Sequence, residues 1–407
     1  MNCRHCQTPL EHTFLDLGFA PPSNAYLAAD QLNRPEVYYP LKLRVCETCW
    51  LVQTEDYTQA DELFCDDYAY FSSTSKGWLN HAARYCESMT RRLGLNANSF
   101  VIEIASNDGY LLKNFVGSGV PCLGIEPTAG TAAAAEQLGI PVMREFFSAS
   151  LGQQLAASGK QADLIAGNNV YAHVPDINDF TAGLSAALKP RGTITLEFPH
   201  LMQLVKQNQF DTVYHEHFSY LSLLTVSHIF ESCGLRIYDV EQIPTHGGSL
   251  RIFGCHQSDS PATTAAVADV LRQEQTAGLR NLETYLRFQQ RADRVKDDLL
   301  SFLIEQKRAG KRVVAYGAAA KGNTLLNYAG VKPDLLAVVA DAAPSKQHKF
   351  LPGSHIPIVE PKSLAAWKPD YVVILPWNIA AEVLESQANL TKSGCRFVTA
   401  VPQLKVH

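Results

Sequence analysis

Long apolar runs are missing from this 407-residue chain. Its most hydrophobic stretches, such as Leu335 to Ala340 and Tyr371 to Leu375, have strand length and fall far short of a bilayer span. The opening residues Met1-Asn2-Cys3-Arg4-His5-Cys6 lead into no apolar region, so no signal peptide is expected and the expected location is cytoplasmic. Blocks of like charge are also absent, which argues against polybasic membrane anchors and acidic tails. The mild formal net charge of −5 comes without the concentrated basic surface that displaces counterions from nucleic acid. Neither a short repeat nor a low-complexity tract interrupts the chain. What remains is 46% hydrophobic and 18% charged, a folded globular composition on a chain too long for one ordinary core.

Four segments are expected, at residues 1–65, 66–260, 261–310 and 311–407. The first carries two cysteine pairs, turn residues and short strand-like runs such as Tyr38 to Val45. In the second, Phe100 to Ile104, Pro121 to Ile125, Asp163 to Ala166 and Thr193 to Phe198 are apolar runs between helix-like stretches. That pattern predicts a parallel sheet covered on both faces. In the third, Leu279, Leu282, Leu286, Val295, Leu299 and Phe302 recur at helical spacing, which predicts long amphipathic connecting helices. The fourth returns to alternation in a smaller α/β unit, with strands at Arg312 to Tyr316, Leu336 to Ala340, Tyr371 to Leu375 and Arg396 to Ala400.

In a reducing setting the ten cysteines read as thiols, and clustered pairs read as metal ligands. Cys3-x-x-Cys6 and Cys46-x-x-Cys49 stand about forty residues apart, so two tight knuckles can offer four thiolates to one tetrahedral ion. Such a shell suits zinc and leaves no open position, which makes the site structural. Two unrelated reduced pairs, or a disulfide pair, are the bland alternative. Cys65, Cys86, Cys122, Cys233, Cys255 and Cys395 are isolated and read as core residues.

Val101-Ile102-Glu103-Ile104-Ala105-Ser106-Asn107-Asp108-Gly109 reads as a buried strand, a small-residue turn and a helix start. Glu103, Ser106, Asn107 and Gly109 are the cofactor candidates there. A second strand ends about twenty residues on at Glu126, which can accept ribose hydroxyls. Asn168 and Asn169 follow the third strand, where groups beyond strand carboxyl ends line a ligand crevice. The turn lacks GxGxxG and any pyrophosphate cradle, which favours S-adenosylmethionine over a dinucleotide. A generic α/β turn with a surface carboxylate at Glu126 is the competing reading.

Val213-Tyr214-His215-Glu216-His217-Phe218-Ser219-Tyr220 concentrates titratable groups that are expensive to bury without purpose. The spacing is not HExxH; two residues apart, the imidazoles share one face of a strand or diverge on a helix. A polar edge loop with one satisfied histidine is the alternative. Transfer of methyl to carbon needs a proton removed beside a carbonyl, work suited to a neutral histidine.

Several motifs together resemble the sugar C-methyltransferases of deoxysugar pathways, which act at carbon 3 of nucleotide-linked 4-keto sugars. They are the cysteine pairs, Leu17-Gly18-Phe19-Ala20-Pro21-Pro22-Ser23-Asn24, Asp67-Tyr68-Ala69-Tyr70-Phe71-Ser72-Ser73, Glu103 to Gly109, Asn168 to Asp176, Tyr214-His215-Glu216-His217, His246-Gly247-Gly248-Ser249-Leu250-Arg251, and Tyr316-Gly317-Ala318-Ala319-Ala320-Lys321-Gly322-Asn323. The resemblance extends over essentially the whole chain. It implies a class I S-adenosylmethionine-dependent α/β domain with a Rossmann-like sheet, an N-terminal zinc module and a smaller C-terminal α/β domain. It also implies His217 as the base at carbon 3, with Tyr214, Glu216, His173 and Tyr68 around the keto group. His246, Ser249 and Arg251 would shape the sugar pocket, and Lys321 and Asn323 would meet the nucleotide. Read without the resemblance, Gly317 to Gly322 is a phosphate turn or a plain strand-to-helix turn, and His246 to Gly248 is equally a hairpin turn. The expected partner is a nucleotide-linked keto-sugar, with no nucleic acid and no membrane, the chain acting as a monomer or homo-oligomer. The rival readings are an O- or N-methyltransferase on the same fold and a non-catalytic zinc-ribbon or nucleotide-binding module.

Overall fold

The computed structural model describes residues 1–57, 71–74 and 76–407. Cys65 and Tyr68 lie outside the described residues. Among those described, the strands form three sheets. In chain order they are β1 (His12–Ala20), β2 (Tyr39–Val45), β3 (Val52–Thr54), β4 (Val101–Ile104), β5 (Cys122–Ile125), β6 (Val142–Met143), β7 (Ala162–Asn168), β8 (Leu188–Pro199) and β9 (Ser219–Tyr220). They continue with β10 (Leu235–Ile243), β11 (Ser249–His256), β12 (Val313–Tyr316), β13 (Val339–Ala340), β14 (Ile358–Val359), β15 (Tyr371–Ile374), β16 (Arg396–Thr399) and β17 (Lys405–Val406).

The first sheet, in the order β1-β2-β3-β9, is antiparallel throughout. In β2, Leu41, Leu43 and Val45 are buried while Lys42 and Arg44 alternate with them, the period of two expected when one face meets a core. Its last strand comes from far along the chain: β9 pairs Tyr220 with Val52 and Ser219 with Gln53.

The second sheet runs β10-β11-β8-β7-β4-β5-β6, and within it β11 runs antiparallel to both of its neighbours. Strands β4 and β5 are buried at every position, the unbroken pattern of a sheet covered on both faces. The order reverses at β4, so the chain leaves β4 and β7 in opposite directions and opens a crevice beyond their carboxyl ends. Leu188 to Gly192 form the irregular start of β8. The preceding helix stops at Ala187, and Arg191 turns with φ +66.

The third sheet, β14-β13-β12-β15-β16-β17, is parallel except for β17. The apolar run Leu335 to Ala340 yields a strand of only Val339–Ala340, because it pairs with the short β14. Connecting helices occupy Ala265–Thr276, Leu282–Leu286 and Phe288–Arg308. The last buries Phe288, Ala292, Val295, Leu299, Phe302 and Leu303, spacings of three and four that make one apolar stripe. That stripe joins the inner residues of β1 and β2 to those of β12, β13 and β15 in one continuous core. A second core unites the knuckle residues Cys3, Cys46, Cys49 and Leu51 with the middle sheet.

Glu274 locks the connector to the middle sheet. It is 1% exposed, and its carboxylate accepts the backbone N–H groups of Leu223 and Leu224 at 2.6 and 3.0 Å, the open end of the helix Leu223–Ser232. It also meets His200 Nε2 at 2.7 Å. Glu274→Ala strands three buried polar groups and is expected to lower the unfolding free energy by about 3 kcal/mol or more in a urea titration. A loss below about 1 kcal/mol would remove this residue from the framework.

Candidate active site and zinc centre

The two cysteine knuckles have the same build. Cys3 accepts from the backbone N–H of Gln7, and Cys46 from that of Trp50, at 3.0 and 2.9 Å. Gln7 and Trp50, each four residues after the first cysteine, both adopt positive φ, 61 and 63, and so curl the chain back on its thiols. All four sulfurs of Cys3, Cys6, Cys46 and Cys49 lie within 4.8 Å of one another, with Cys3–Cys49 and Cys6–Cys46 at 3.5 Å. A tetrahedral zinc with sulfurs at about 2.3 Å would set them roughly 3.8 Å apart, so the cluster fits that ion. Asn178 Nδ2 donates to the His5 carbonyl at 2.9 Å and Thr225 Oγ1 to the Cys49 carbonyl at 3.3 Å, docking both knuckles on the middle sheet's helices.

The crevice at the ends of β4, β5 and β7 brings together all seven residues expected at the cofactor. Ala105, Asn107 and Asn169 turn with φ of 55, 50 and 55, positions of stored strain that cluster where strands end and ligands sit. Glu126 organises the turn: one carboxylate oxygen accepts the Asn107 N–H and the other the Thr128 N–H, both at 2.9 Å. Asn107 and Asp108 in turn accept the backbone N–H groups of Ser72 and Ser73 at 2.9 and 3.1 Å. Glu103 Oε2, Ser106 Oγ, Asp108 Oδ1 and both amide atoms of Asn168 are buried with no protein partner. Buried polar groups in such number are explained by a polar ligand. Burial, aided by Glu126 and Asp108, pushes the Glu103 carboxyl well above the usual carboxylate range. An acidic pocket of this kind suits the cationic sulfonium and ammonium groups of S-adenosylmethionine and opposes a pyrophosphate.

The dense stretch is neither strand nor helix. It begins with a single turn, Phe210–Thr212, and crosses a turn at His215 and Glu216 before entering β9. The two imidazoles therefore diverge. His215 faces Tyr39, its ring 5.9 Å away, while His217 packs 4.0 Å from Tyr214 and 4.6 Å from His173. Nδ1 of His217 is 3.2 Å from the Thr212 carbonyl, and Nδ1 of His173 is 2.7 Å from the Glu216 carbonyl. A carbonyl only accepts, so each ring bears its proton on Nδ1 and its lone pair on Nε2. Burial, with His173 adding repulsion, pushes His217 well below its ordinary value, and burial pushes His173 down to about 4. Both are neutral at neutral pH. Glu216 points away from them, into the zinc module, where Ser23 Oγ and Asn24 Nδ2 donate to it at 3.3 and 3.1 Å.

The expected substrate residues are spread more widely. His246 lies in the β10–β11 turn, exposed, with its ring edge-on to Trp78 at 5.5 Å. Ser249 donates to the Thr245 carbonyl within that same turn. Arg251 is committed to Glu197 and Glu241 at 2.6 and 2.8 Å. Lys321 begins a C-terminal helix, Ala320–Tyr328, and its ammonium meets Asn378 Oδ1 at 2.7 Å above the Trp377 ring. Asn323, 1% exposed, donates to the Ser23 carbonyl at 2.6 Å. Several residues beside the site escape sequence reasoning. His81 pairs with Glu197 at 2.9 Å and stacks on Trp78, and Asp211 accepts the Trp377 indole N–H at 2.8 Å. Asp211 stands next to the dense stretch and Ser23-Asn24 within a quoted motif, but no sequence signal marks Trp377.

Two outcomes are expected. Unfolding the protein with a metallochromic chelator present releases one zinc per chain, and Cys46→Ser lowers the melting temperature; a full melt without zinc release counts against the metal. The unfolded chain protonates His173 and His217 near pH 6.5, whereas the folded protein resists until far lower pH. Stability held above about pH 6.5 is therefore lost as pH falls towards 4, by up to about 1.4 kcal/mol per pH unit for each ring. Melting curves of the ligand-free protein between about pH 5 and 7 check this, and a flat response contradicts neutral imidazoles.

Comparison with known proteins now adds to this geometry. Residues 3–64 match a family of zinc binding domains, residues 78–240 a methyltransferase domain and residues 244–402 the C-methyltransferase C-terminal domain. The C-methyltransferase NovU of Streptomyces niveus is 33% identical over 404 residues, covering 99% of this chain and 96% of that protein. Among solved structures, magnesium protoporphyrin IX methyltransferase of Synechocystis PCC 6803 shares 14% identity over 44% of this chain and 84% of its own, with a TM-score of 0.35. A methyltransferase of Anabaena variabilis shares 14% over 44% and 85%, with a TM-score of 0.36. S-adenosylmethionine is the cofactor and zinc the structural metal, and no helix among the described residues is long and apolar enough to cross a membrane. The chain belongs to the C-methyltransferase family, the family its motifs resemble.

Proposed function

We propose that the chain methylates carbon 3 of a nucleotide-linked 4-keto deoxysugar, with His217 as the base. The observation that carries this reading is the fixed tautomer of His217: Nδ1–H bound to the Thr212 carbonyl and a lone pair on Nε2, in a ring held neutral by burial. S-adenosylmethionine supplies an electrophilic methyl group when bound to the crevice at Glu103 to Gly109. Nε2 of His217 takes the proton from the carbon beside the ketone, and the electron pair passes towards the ketone oxygen. His173 carries its own proton on Nδ1, already given to Glu216, so the hydroxyl of Tyr214 is the better donor to that oxygen. The enolate carbon would then take the methyl group as its bond to sulfur breaks, S-adenosylhomocysteine would leave, the ketone would be restored, and His217 would release the proton to solvent. His246, Ser249 and Arg251 border the sugar in this reading. Lys321 and Asn323, from the C-terminal unit, lie on the nucleotide side. No charged methyl acceptor on oxygen or nitrogen is needed.

The test uses D2O and a nucleotide-linked 4-keto sugar without cofactor. Deuterium is expected to enter at carbon 3 with the native enzyme and not with His217→Ala. Turnover in His217→Ala should drop by about 10²- to 10⁴-fold, with cofactor affinity nearly unchanged. Exchange that survives the substitution, or a product methylated on oxygen, refutes the assignment.

A further inference from the structure

We propose that Trp377 and Asp211 are positioning residues for His217, holding from the C-terminal unit the turn whose carbonyl fixes the tautomer of that imidazole. The turn Phe210–Thr212 has little of its own to hold it. Its internal bonds are Thr212 N–H to the Gln209 carbonyl and Val213 N–H to the Phe210 carbonyl, both at 3.1 Å, in the poorer geometry of a three-residue-per-turn helix. Yet its last carbonyl, on Thr212, is what His217 Nδ1 meets at 3.2 Å.

The missing restraint comes from outside. Asp211, at the centre of the turn, is 0% exposed, and its Oδ2 accepts the indole N–H of Trp377 at 2.8 Å. Trp377 follows β15, at the carboxyl end of the third sheet, so the donor is set by a rigid strand rather than by a free loop. The indole is itself held in place. Lys321 Nζ sits 4.9 Å from the ring centre, and Gly247, with φ +90, lies against the ring where a Cβ would come within 2.6 Å of Cη2. Gln209, whose carbonyl also accepts from Thr212 Oγ1 at 2.7 Å, donates to the Gly247 carbonyl at 2.8 Å, closing the ring of contacts. One residue past the turn, Thr324 Oγ1 donates to the Val213 carbonyl at 2.7 Å, a second grip from the same unit. A carboxylate buried this completely holds its place only while it has a partner, so loss of the indole N–H moves the turn. A displaced Thr212 carbonyl no longer demands a proton on Nδ1, and the proton can then reside on Nε2, which blocks that nitrogen as an acceptor.

The position of the His217 proton can be read directly. Full-length, zinc-loaded protein with ¹⁵N-labelled histidine is expected to show His217, assigned with His217→Gln, as the Nδ1-protonated tautomer. Trp377→Phe keeps the ring and removes the donor; it should shift that signal towards the other tautomer, as should Asp211→Leu. Asp211→Asn keeps an oxygen acceptor and should recover most of what Asp211→Leu loses. Zinc content and circular dichroism match the native protein in a properly folded variant, and Asp211→Leu stands in should Trp377→Phe not fold. The link to turnover rests on the base assignment proposed above: kcat should fall on the order of 10- to 100-fold, with the KM for S-adenosylmethionine unchanged. A shifted tautomer with native kcat would uphold the positioning role and overturn the base assignment instead. An unshifted His217 signal in both Trp377→Phe and Asp211→Leu overturns the proposal.

Discussion

Two residues of strand, Ser219 and Tyr220, bind the whole molecule to its chemistry. By pairing with Gln53 and Val52 they complete the zinc module's sheet with a piece of the histidine-rich segment. The Thr54 N–H to the Phe218 carbonyl at 3.1 Å extends the same ladder to the residue after His217. From that point backward, every turn of the segment answers to a neighbour. Glu216 is held by Ser23 and Asn24, Val213 by Thr324 and Asp211 by Trp377. A short polar loop with this many imidazoles cannot pay its desolvation cost alone. Its conformation is enforced by three surrounding units, each anchored in a core of its own or a shared one.

The two α/β units solve one problem the same way. In the catalytic sheet, Glu126 just past β5 accepts the N–H of Asn107 in the first turn and that of Thr128 two residues on. In the C-terminal sheet, Asp341 just past β13 accepts the N–H of Ala318 at 2.7 Å and that of Ala343, again two residues on, at 2.8 Å. A carboxylate at the end of a second parallel strand thus stiffens the turn after the first. Around the two turns the surroundings differ. Buried acceptors without partners gather at the first, whereas at the second Tyr26 and Lys346 donate to the Ala318 carbonyl at 2.6 and 2.8 Å. The same backbone device therefore frames an acidic cradle in one unit and a contact with the zinc module in the other.

The sequence disclosed those features that chemistry confines to a few neighbouring residues. Paired cysteines at knuckle spacing, a strand followed by Ala105 to Gly109, and Glu126 about twenty residues on are local patterns, and each is found where its spacing placed it. The density of Tyr214 to His217 was equally visible, but its conformation was not. A strand would have put His215 and His217 side by side; instead the chain turns between them, with His215 and Glu216 tethered to Tyr39, Ser23 and Asn24 of the zinc module. Trp377 lies 166 residues from the carboxylate it serves, and β9 pairs with a strand more than 160 positions earlier. Contacts of that range leave no periodic trace in a single chain. Residue type alone also leaves partners open: Arg251, expected at the sugar pocket, pairs its guanidinium with Glu197 and Glu241, the former 54 positions away.

The lending of β9 bears on how this protein could be cut and recombined. A fragment ending before residue 219 would leave β3 as a naked edge, and one starting after Thr54 would leave Ser219 and Tyr220 with nothing to pair. The zinc module is thus no detachable cassette. Any chimera between relatives must inherit both partners of that ladder from one parent, or pay in aggregation for the mismatch.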